Sequence, residues 1–287
     1  MTDPQDARGG EGGGGPGDAR ASGFLSPNTR YEVTFLDGAQ ATPGEADVAE
    51  EVPVALAYNR RAHVVMMCSP ADLEDFAVGF TVSEGIARAG EITHVEVVRH
   101  QRGTEVLLDV PVAVSERLAT RARAISGRTG CGLCGVEAID DAVRPVVAVN
   151  AALSIAPEAL WRAAAELQAR QALNQATRAV HGAAWAHPDG AVQVVREDVG
   201  RHNALDKVLG ALARKGIDPA TGFALVTSRA SFELVQKAAA CGIPLLAAVS
   251  RPTGLAIRMA EASGLTLVAL LREQSATVYT GAHRIAR

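Results

Sequence analysis

Short apolar runs separated by turn residues dominate the first half of the chain after its N-terminal tail. Tyr31-Glu32-Val33-Thr34-Phe35-Leu36 alternates as a strand and meets a turn at Asp37-Gly38. Val52–Tyr58 and His63–Cys68 form a second strand pair, joined through Asn59-Arg60-Arg61. Ser69 is then predicted to cap a helix, with Pro70 at its first position and a Ser-x-x-Asp pattern completed by Asp72. Leu73, Phe76, Ala77, Phe80 and Val82 supply its apolar side, and Glu84-Gly85 ends it. Val95–Arg99 and Glu105–Val110 read as strands, with Arg102-Gly103 between them. Residues 30–120 are therefore expected to form a small α+β domain.

The pattern changes after residue 145. A helix is predicted over Pro157–Asn174, and three strand-then-helix units follow it. Val192–Arg196 leads into a helix from Arg201 to Ala213. Phe223–Thr227 leads into Ser231–Cys241, and Leu245–Val249 into Gly254–Ala262. Leu265–Leu271 reads as a last buried strand. Continuous apolar strands alternating with helices predict an α/β domain over 145–287 with a largely parallel sheet covered on both faces.

Composition narrows the class. The 287 residues are 48% hydrophobic and 21% charged, which suits a globular chain with an ample core. A net charge of −4 argues against a general nucleic-acid binder. No uninterrupted apolar window reaches the roughly 18 residues of a membrane helix, and the N-terminus has no apolar signal region. Few cysteines suit a reducing cytoplasm. Residues 1–25 are glycine-rich, with Gly12 to Gly15 in succession, and read as a disordered tail.

Two of the four cysteines, Cys131 and Cys134, stand three apart in Gly127-Arg128-Thr129-Gly130-Cys131-Gly132-Leu133-Cys134-Gly135. Such a pair serves as half a zinc site, as a dithiol redox couple, or as a sulfur-handling nucleophile. Zinc needs a second ligand pair. Cys68 and Cys241 are isolated within apolar stretches and read as small buried hydrophobes. A thioredoxin-type couple follows a buried strand, whereas the basic, glycine-broken Arg121–Gly130 precedes this pair. Residues 121–144 are therefore read as a glycine-hinged cysteine loop leading into a short helix through Val136, Ile139 and Val143. Nearby arginines favour the thiolate. A reactive cysteine on such a loop can visit two sites in turn, as a carrier requires.

Ligands of open α/β sheets bind beyond the carboxyl ends of the strands. Here those ends read Glu197-Asp198-Val199-Gly200-Arg201-His202-Asn203, Ser228-Arg229-Ala230-Ser231 and Ser250-Arg251-Pro252-Thr253-Gly254, with Arg272 closing the last strand. Asp198, Ser228 and Ser231 each have the alternative of only capping a helix, and Arg201 and Arg251 of only being solvated. Three such turns together suggest a site for an anionic, nucleotide-like ligand, with His202, Ser228 and Arg229 among its contacts. Neither a P-loop nor a dinucleotide fingerprint is present. His181-Gly182-Ala183 lacks the glutamate of zinc deaminases, and the cysteine pair lies upstream rather than downstream, so deaminase chemistry is not expected.

The cysteine motif through Val136-Glu137 resembles that of the FdhD family of formate dehydrogenase accessory proteins. So do Glu51-Val52-Pro53-Val54, Ser83-Glu84-Gly85-Ile86, Glu197 through Lys207, Thr227-Ser228-Arg229-Ala230-Ser231 and Ala276-Thr277-Val278-Tyr279-Thr280. The resemblance runs in order over residues 30–287. It implies a three-layer, cytidine deaminase-like catalytic domain beside the smaller N-terminal α+β domain. It also implies a sulfur carrier that accepts sulfur from a cysteine desulfurase as a persulfide on Cys131. The sulfur then passes to the Mo-bis(molybdopterin guanine dinucleotide) cofactor before insertion into formate dehydrogenase. The family's cofactor segment falls on Leu270, Leu271, Arg272, Glu273, Gln274 and Ser275, where a GDP-like moiety is expected. The family often carries Gly-Phe at 269–270. This chain has Ala269-Leu270, so an aromatic that could stack on guanine is missing. Cys134 is expected to assist, relay or resolve the persulfide, and a homodimer is a family-level expectation. A dithiol oxidoreductase and a zinc-holding, nucleotide-binding regulatory module are the competing readings.

Overall fold

The computed structural model describes residues 26–125 and 147–286. The glycine-rich tail, Cys131, Cys134 and the short helix expected after them lie outside the described residues.

A long hairpin comes first. Strands β1 (Asn28–Asp37) and β2 (Gln40–Ala49) pair along their whole length, and Gly38 takes the left-handed turn position at φ +58°. The second strand was not foreseen, because Pro43-Gly44 reads as a strand breaker.

The next four strands form one sheet in the order β4-β3-β6-β5, from β3 (Val52–Tyr58), β4 (Arg61–Cys68), β5 (His94–His100) and β6 (Gly103–Asp109). β3 and β6 run parallel; the other pairs are antiparallel. Asn59 and Arg60 turn the β3–β4 hairpin with positive φ, and the Asn59 side chain is tied to the backbone of Val110 and to Ser115. Val54, Leu56, Val106 and Leu108 face helix α1 (Leu73–Ser83), which contributes Leu73, Phe76 and Ala77 to their core. Helix α2 (Val112–Ile125) was missed in the sequence. Its start follows Pro111, and Val114 and Leu118 pack inward at i, i+4 spacing while basic residues crowd its far end.

The expected serine cap is corrected by the structure. α1 begins at Leu73, with Asp72 in the left-handed region at its N-cap and no side-chain cap. Ser69 is fully buried. Its N–H donates to Asp198 Oδ2 (3.0 Å), its hydroxyl accepts from Val199 N–H (3.1 Å) and its carbonyl accepts from Lys207 Nζ (3.1 Å). A buried ion pair outcompetes local capping for these groups.

The remaining strands build a six-stranded sheet in the order β12-β11-β10-β9-β7-β8. They are β7 (His181–Ala186), β8 (Val192–Asp198), β9 (Phe223–Val226), β10 (Leu245–Ala248), β11 (Thr266–Arg272) and β12 (Ser275–Thr280). Only the β9–β10 and β10–β11 pairings are parallel and the other three are antiparallel, so the expectation of a largely parallel sheet is corrected to a mixed one. The discrepancy comes from β7 and β12. Strand β7 reads His-Gly-Ala-Ala-Trp-Ala, with no β-branched residue to announce it. Both faces are covered, as the strand composition predicts. Ala183, Trp185, Val226 and Leu246 face α5 (Arg201–Lys215), α6 (Phe232–Ala240) and α7 (Gly254–Ser263). Ala184, Ala186, Leu225 and Ala247 face α3 (Pro157–Ala169). The single helix expected over 157–174 is broken: α4 (Ala172–Thr177) starts anew because the Glu197 carboxylate accepts from the N–H groups of Leu173 and Asn174. The fold is thus mixed α/β, and none of its described helices is long and apolar enough to cross a membrane.

Helices α1 and α5 lock the two larger sheets together. They cross at Gly79 and Gly210 with their backbones in contact. A Cβ on Gly79 would collide with the Asp206 carbonyl, and one on Gly210 with the Asp75 carbonyl. Arg196 and Arg214 bracket the crossing, each donating to Asp75 at 2.6 Å. Because backbone cannot yield as a side chain can, Gly79→Ala and Gly210→Ala should each destabilise by about 3 kcal/mol or more in chemical denaturation. Gly90→Ala, at an exposed site where a Cβ meets nothing, should stay within about 0.5 kcal/mol. Equal effects at all three positions would contradict the close crossing.

Candidate functional site

The parallel strands β9, β10 and β11 run out at one edge, and backbone bonds tie their following loops together. Ser250 N–H donates to Ser228 C=O (3.4 Å), and Leu270 N–H donates to Ser250 C=O (3.2 Å). Thr227 closes the next seam: its N–H donates to Gly182 C=O and its hydroxyl accepts from Gly182 N–H (2.9 Å). Because β7 is antiparallel to β9, its first residue, His181, comes to the same edge, opposite Asp198 at the end of β8.

The structure brings the sequence-predicted residues to this edge in unequal roles. Arg229, Arg251 and Arg272 are exposed along it. The Arg272 guanidinium reaches back to the carbonyl of Val249 (3.2 Å), across the end of β10. Ser228 is buried and donates to the Arg229 carbonyl (3.0 Å). Leu270 is held at φ +55°, a conformation costing a branched-chain residue about 1–2 kcal/mol, beside an irregularity in the β11–β12 ladder. Leu271 points into the core against α3 and offers a ligand only its backbone. Arg272 pairs with Ser275 around the exposed Glu273-Gln274 turn.

Helix N-termini complete the edge. His202, in the first turn of α5, places Nε2 2.9 Å from Glu233 Oε2 and 3.4 Å from the Ser231 hydroxyl, both at the start of α6. Ser231 also donates to Glu233 (2.9 Å), and Arg201 approaches the same carboxylate at 4.0 Å. The hydrogen bond from His202, aided by its charge, by Ser231 and by Arg201 against the opposing effect of burial, lowers the Glu233 carboxyl to about 2. Half-buried His181 is shifted down from its ordinary value by burial and by Arg201 and His202.

The rest of the Glu197–Lys207 motif is mechanical. Asp198 is completely buried and pairs with Lys207 at 2.6 Å. It also accepts from Gly200 N–H and from Asn203, whose amide reaches the Met67 carbonyl at 2.8 Å. Asp206 accepts from Ser83 (2.7 Å) and pairs with Lys237 (2.9 Å), which also meets Glu84. Glu233 and Ser69 were missed in the sequence: one looks like an ordinary acidic first-turn residue and the other like a cap. Their partners lie 31 and 129 residues away, so no local signal marks them.

Of the two cysteines among the described residues, Cys68 is buried as expected, whereas Cys241 is only partly buried at the edge of the core. Burial pushes the Cys241 thiol up to about 12 and raises that of Cys68. Among the described residues no group of three or more His, Cys, Asp or Glu is placed to hold a metal. A cavity of about 490 Å³ beside Cys241 lies at the far ends of α5 and α6, lined by Val82, Leu209, Ala213 and Ile217, and is largely apolar. It is remote in character from the polar strand-end edge.

Removing the cation from the Asp198–Lys207 pair leaves a buried carboxylate uncompensated. Lys207→Met should therefore lose about 3–5 kcal/mol in equilibrium denaturation. A loss below about 1 kcal/mol would mean the pair contributes nothing to joining the sheets.

Comparison with known proteins gives the family. The chain is 50% identical over 239 residues to a protein of Bordetella petrii named sulfur carrier protein FdhD, covering 83% of this chain and 86% of that one. A protein of the same name from Cupriavidus necator is 49% identical over 240 residues, covering 83% of each. The crystal structure of a formate dehydrogenase accessory protein from Desulfotalea psychrophila superposes with a TM-score of 0.73 at 25% identity, over 90% of this chain and 99% of that one. The sequence profile of the FdhD/NarQ family matches residues 49–286, and the chain belongs to that family.

Proposed function

We propose that this protein is a sulfur carrier that supports formate dehydrogenase, with Cys131 as the sulfur acceptor. The observation that carries the reading is the near-50% identity, across more than four-fifths of the chain, to proteins named sulfur carrier protein FdhD. Cys131 lies within the matched span.

The chemistry is a displacement of the thiol–disulfide type. The Cys131 thiolate attacks the outer sulfur of a persulfide on a cysteine desulfurase. A new S–S bond forms at Cys131, the S–S bond on the donor breaks, and the donor leaves as a thiolate. Cys134 assists or relays. The acceptor is the Mo-bis(molybdopterin guanine dinucleotide) cofactor, bound as substrate before it enters formate dehydrogenase in the cytoplasm.

The strand-end edge is the proposed seat of that cofactor. Its diphosphates need cations, and Arg229, Arg251 and Arg272 are exposed on three loops linked by backbone hydrogen bonds. The residues present fit the phosphates better than the base, since Leu270 offers no ring for guanine to stack on. Backbone groups of Leu270–Ser275, with His202 and Ser228, complete the set. The mixed sheet with helices on both faces supports a cytidine deaminase-like assignment for this unit. In that case the edge would serve to hold a nucleotide rather than to deaminate one.

Incubation with a desulfurase and cysteine should add the mass of one sulfur atom to the intact protein, and Cys131→Ala should abolish both that gain and formate dehydrogenase maturation in cells. Cys134→Ala should be milder. Normal dehydrogenase activity in a strain carrying only the Cys131→Ala protein would end the carrier assignment. In calorimetry with GDP, Arg229→Ala should weaken binding by about 1.5–3 kcal/mol, the worth of one charge-assisted contact. Unchanged binding would place the nucleotide elsewhere.

A further inference from the structure

Two local rules are broken at the start of α6, and both breaks serve one imidazole. Ser231 occupies the N-cap position, yet its hydroxyl caps no backbone N–H; it donates to the Glu233 side chain instead. Glu233 stands in the first turn, where a carboxylate ordinarily serves the free backbone N–H groups, yet it turns to His202 on a different helix. Giving up a cap costs about 1 kcal/mol, so another interaction must hold the arrangement.

The arrangement fixes which ring nitrogen carries hydrogen. An ionised carboxylate only accepts. The Ser231 hydroxyl points its one hydrogen at that carboxylate, so toward His202 it too can only accept. Both neighbours of Nε2 therefore demand a donor there. Nδ1 makes no hydrogen bond among the described residues. We propose that Glu233 is the positioning residue of His202: its carboxylate holds the neutral ring as the Nε2–H tautomer and leaves Nδ1 as a bare acceptor for the ligand. It follows that His202 meets a donor group on the ligand, a hydroxyl or an N–H of the nucleoside, while the arginines meet the diphosphate. This consequence rests on the nucleotide reading of the edge; the tautomer itself does not.

Long-range proton–nitrogen NMR of the free, full-length protein, recorded with the ring neutral, reads the tautomer directly. The wild type should show His202 protonated at Nε2. Glu233→Gln, which can present either an acceptor or a donor, should give a mixture, whereas Ser231→Ala keeps the carboxylate and should preserve Nε2–H. A wild-type Nδ1–H ring, or a tautomer that Glu233→Gln leaves untouched, would overturn the proposal. Titration with GDP and with inorganic pyrophosphate then separates the roles. Glu233→Gln should weaken GDP roughly tenfold, the worth of one hydrogen bond, and leave pyrophosphate unchanged. Tighter binding of both would mean that Glu233 competes with phosphate, and an equal loss for both would make His202 a phosphate contact; either result overturns the proposal. A wild type that binds neither probe but keeps the Nε2–H ring would sink the nucleotide reading alone.

Discussion

The Asp198 carboxylate is the point on which the assembly turns. Taking a carboxylate and an ammonium out of water costs several kcal/mol per ion, and the pair is stable only when the remaining bonding capacity is filled. Here it is filled from both sheets. Lys207 supplies the charge, Gly200 and Asn203 bond from the same unit, and Ser69 arrives from the end of β4. Ser69 also accepts from Lys207, so the linker between β4 and α1 is threaded onto the ion pair rather than laid beside it. The Gly79–Gly210 crossing then brings α1 and α5 to backbone contact, and Asp206–Lys237 repeats the same device from the residue next to Lys207. Removing any one of these groups would leave another buried polar atom unpaired.

That constraint has a functional consequence. Residues 197–203 form both the anchor and the rim of the candidate site. With Glu197 bonded to α4 and Asp198 sealed beneath, the turn has little freedom, and Arg201 and His202 are delivered to the edge in a fixed orientation. The N-terminal sheet can therefore be read as a support for the site even though it contributes none of the edge arginines.

Much of this was legible in the sequence, and the failures share a cause. The strands β3 to β6, β8 to β11 and the helices α1, α3, α5, α6 and α7 announce themselves by period and by flanking glycine or proline. Strand β7 did not, because its alanines and glycine carry no strand preference; it is a strand only because Trp185 and Ala183 are buried between β8 and β9. Ser69 looked like a cap, and Pro157–Asn174 like one helix, because local patterns ignore competitors from elsewhere in the chain. In both places the competitor was a carboxylate at the end of β8: Asp198 took the serine, and Glu197 broke the helix. The arginines and His202 were recognisable at the strand ends, but Asp198, Asn203, Asp206 and Lys207 in the same motif are buried joints rather than ligand contacts. A dense run of polar residues marks a place where polar groups are needed; it does not say whether they face a ligand or another part of the fold.

The convergence of charge at the edge follows from the parallel centre of the six-stranded sheet. Arg229, Arg251 and Arg272 come together only because β9, β10 and β11 are parallel and end at one level. The bonds from Ser250 to Ser228 and from Leu270 to Ser250 then hold the three loops in register. Leu270 shows what that register demands. Its left-handed backbone is unfavourable for leucine, and it is held between an N–H committed to Ser250 and a following side chain, Leu271, anchored in the core. The strain re-aims the chain so that Arg272 lies back across β10 while the Glu273-Gln274 turn stands clear of it. In a protein whose net charge is −4, a cationic edge assembled in this way is a local property of three strand ends, maintained by backbone geometry. That is why its orientation depends more on the buried joints behind it than on the arginines themselves.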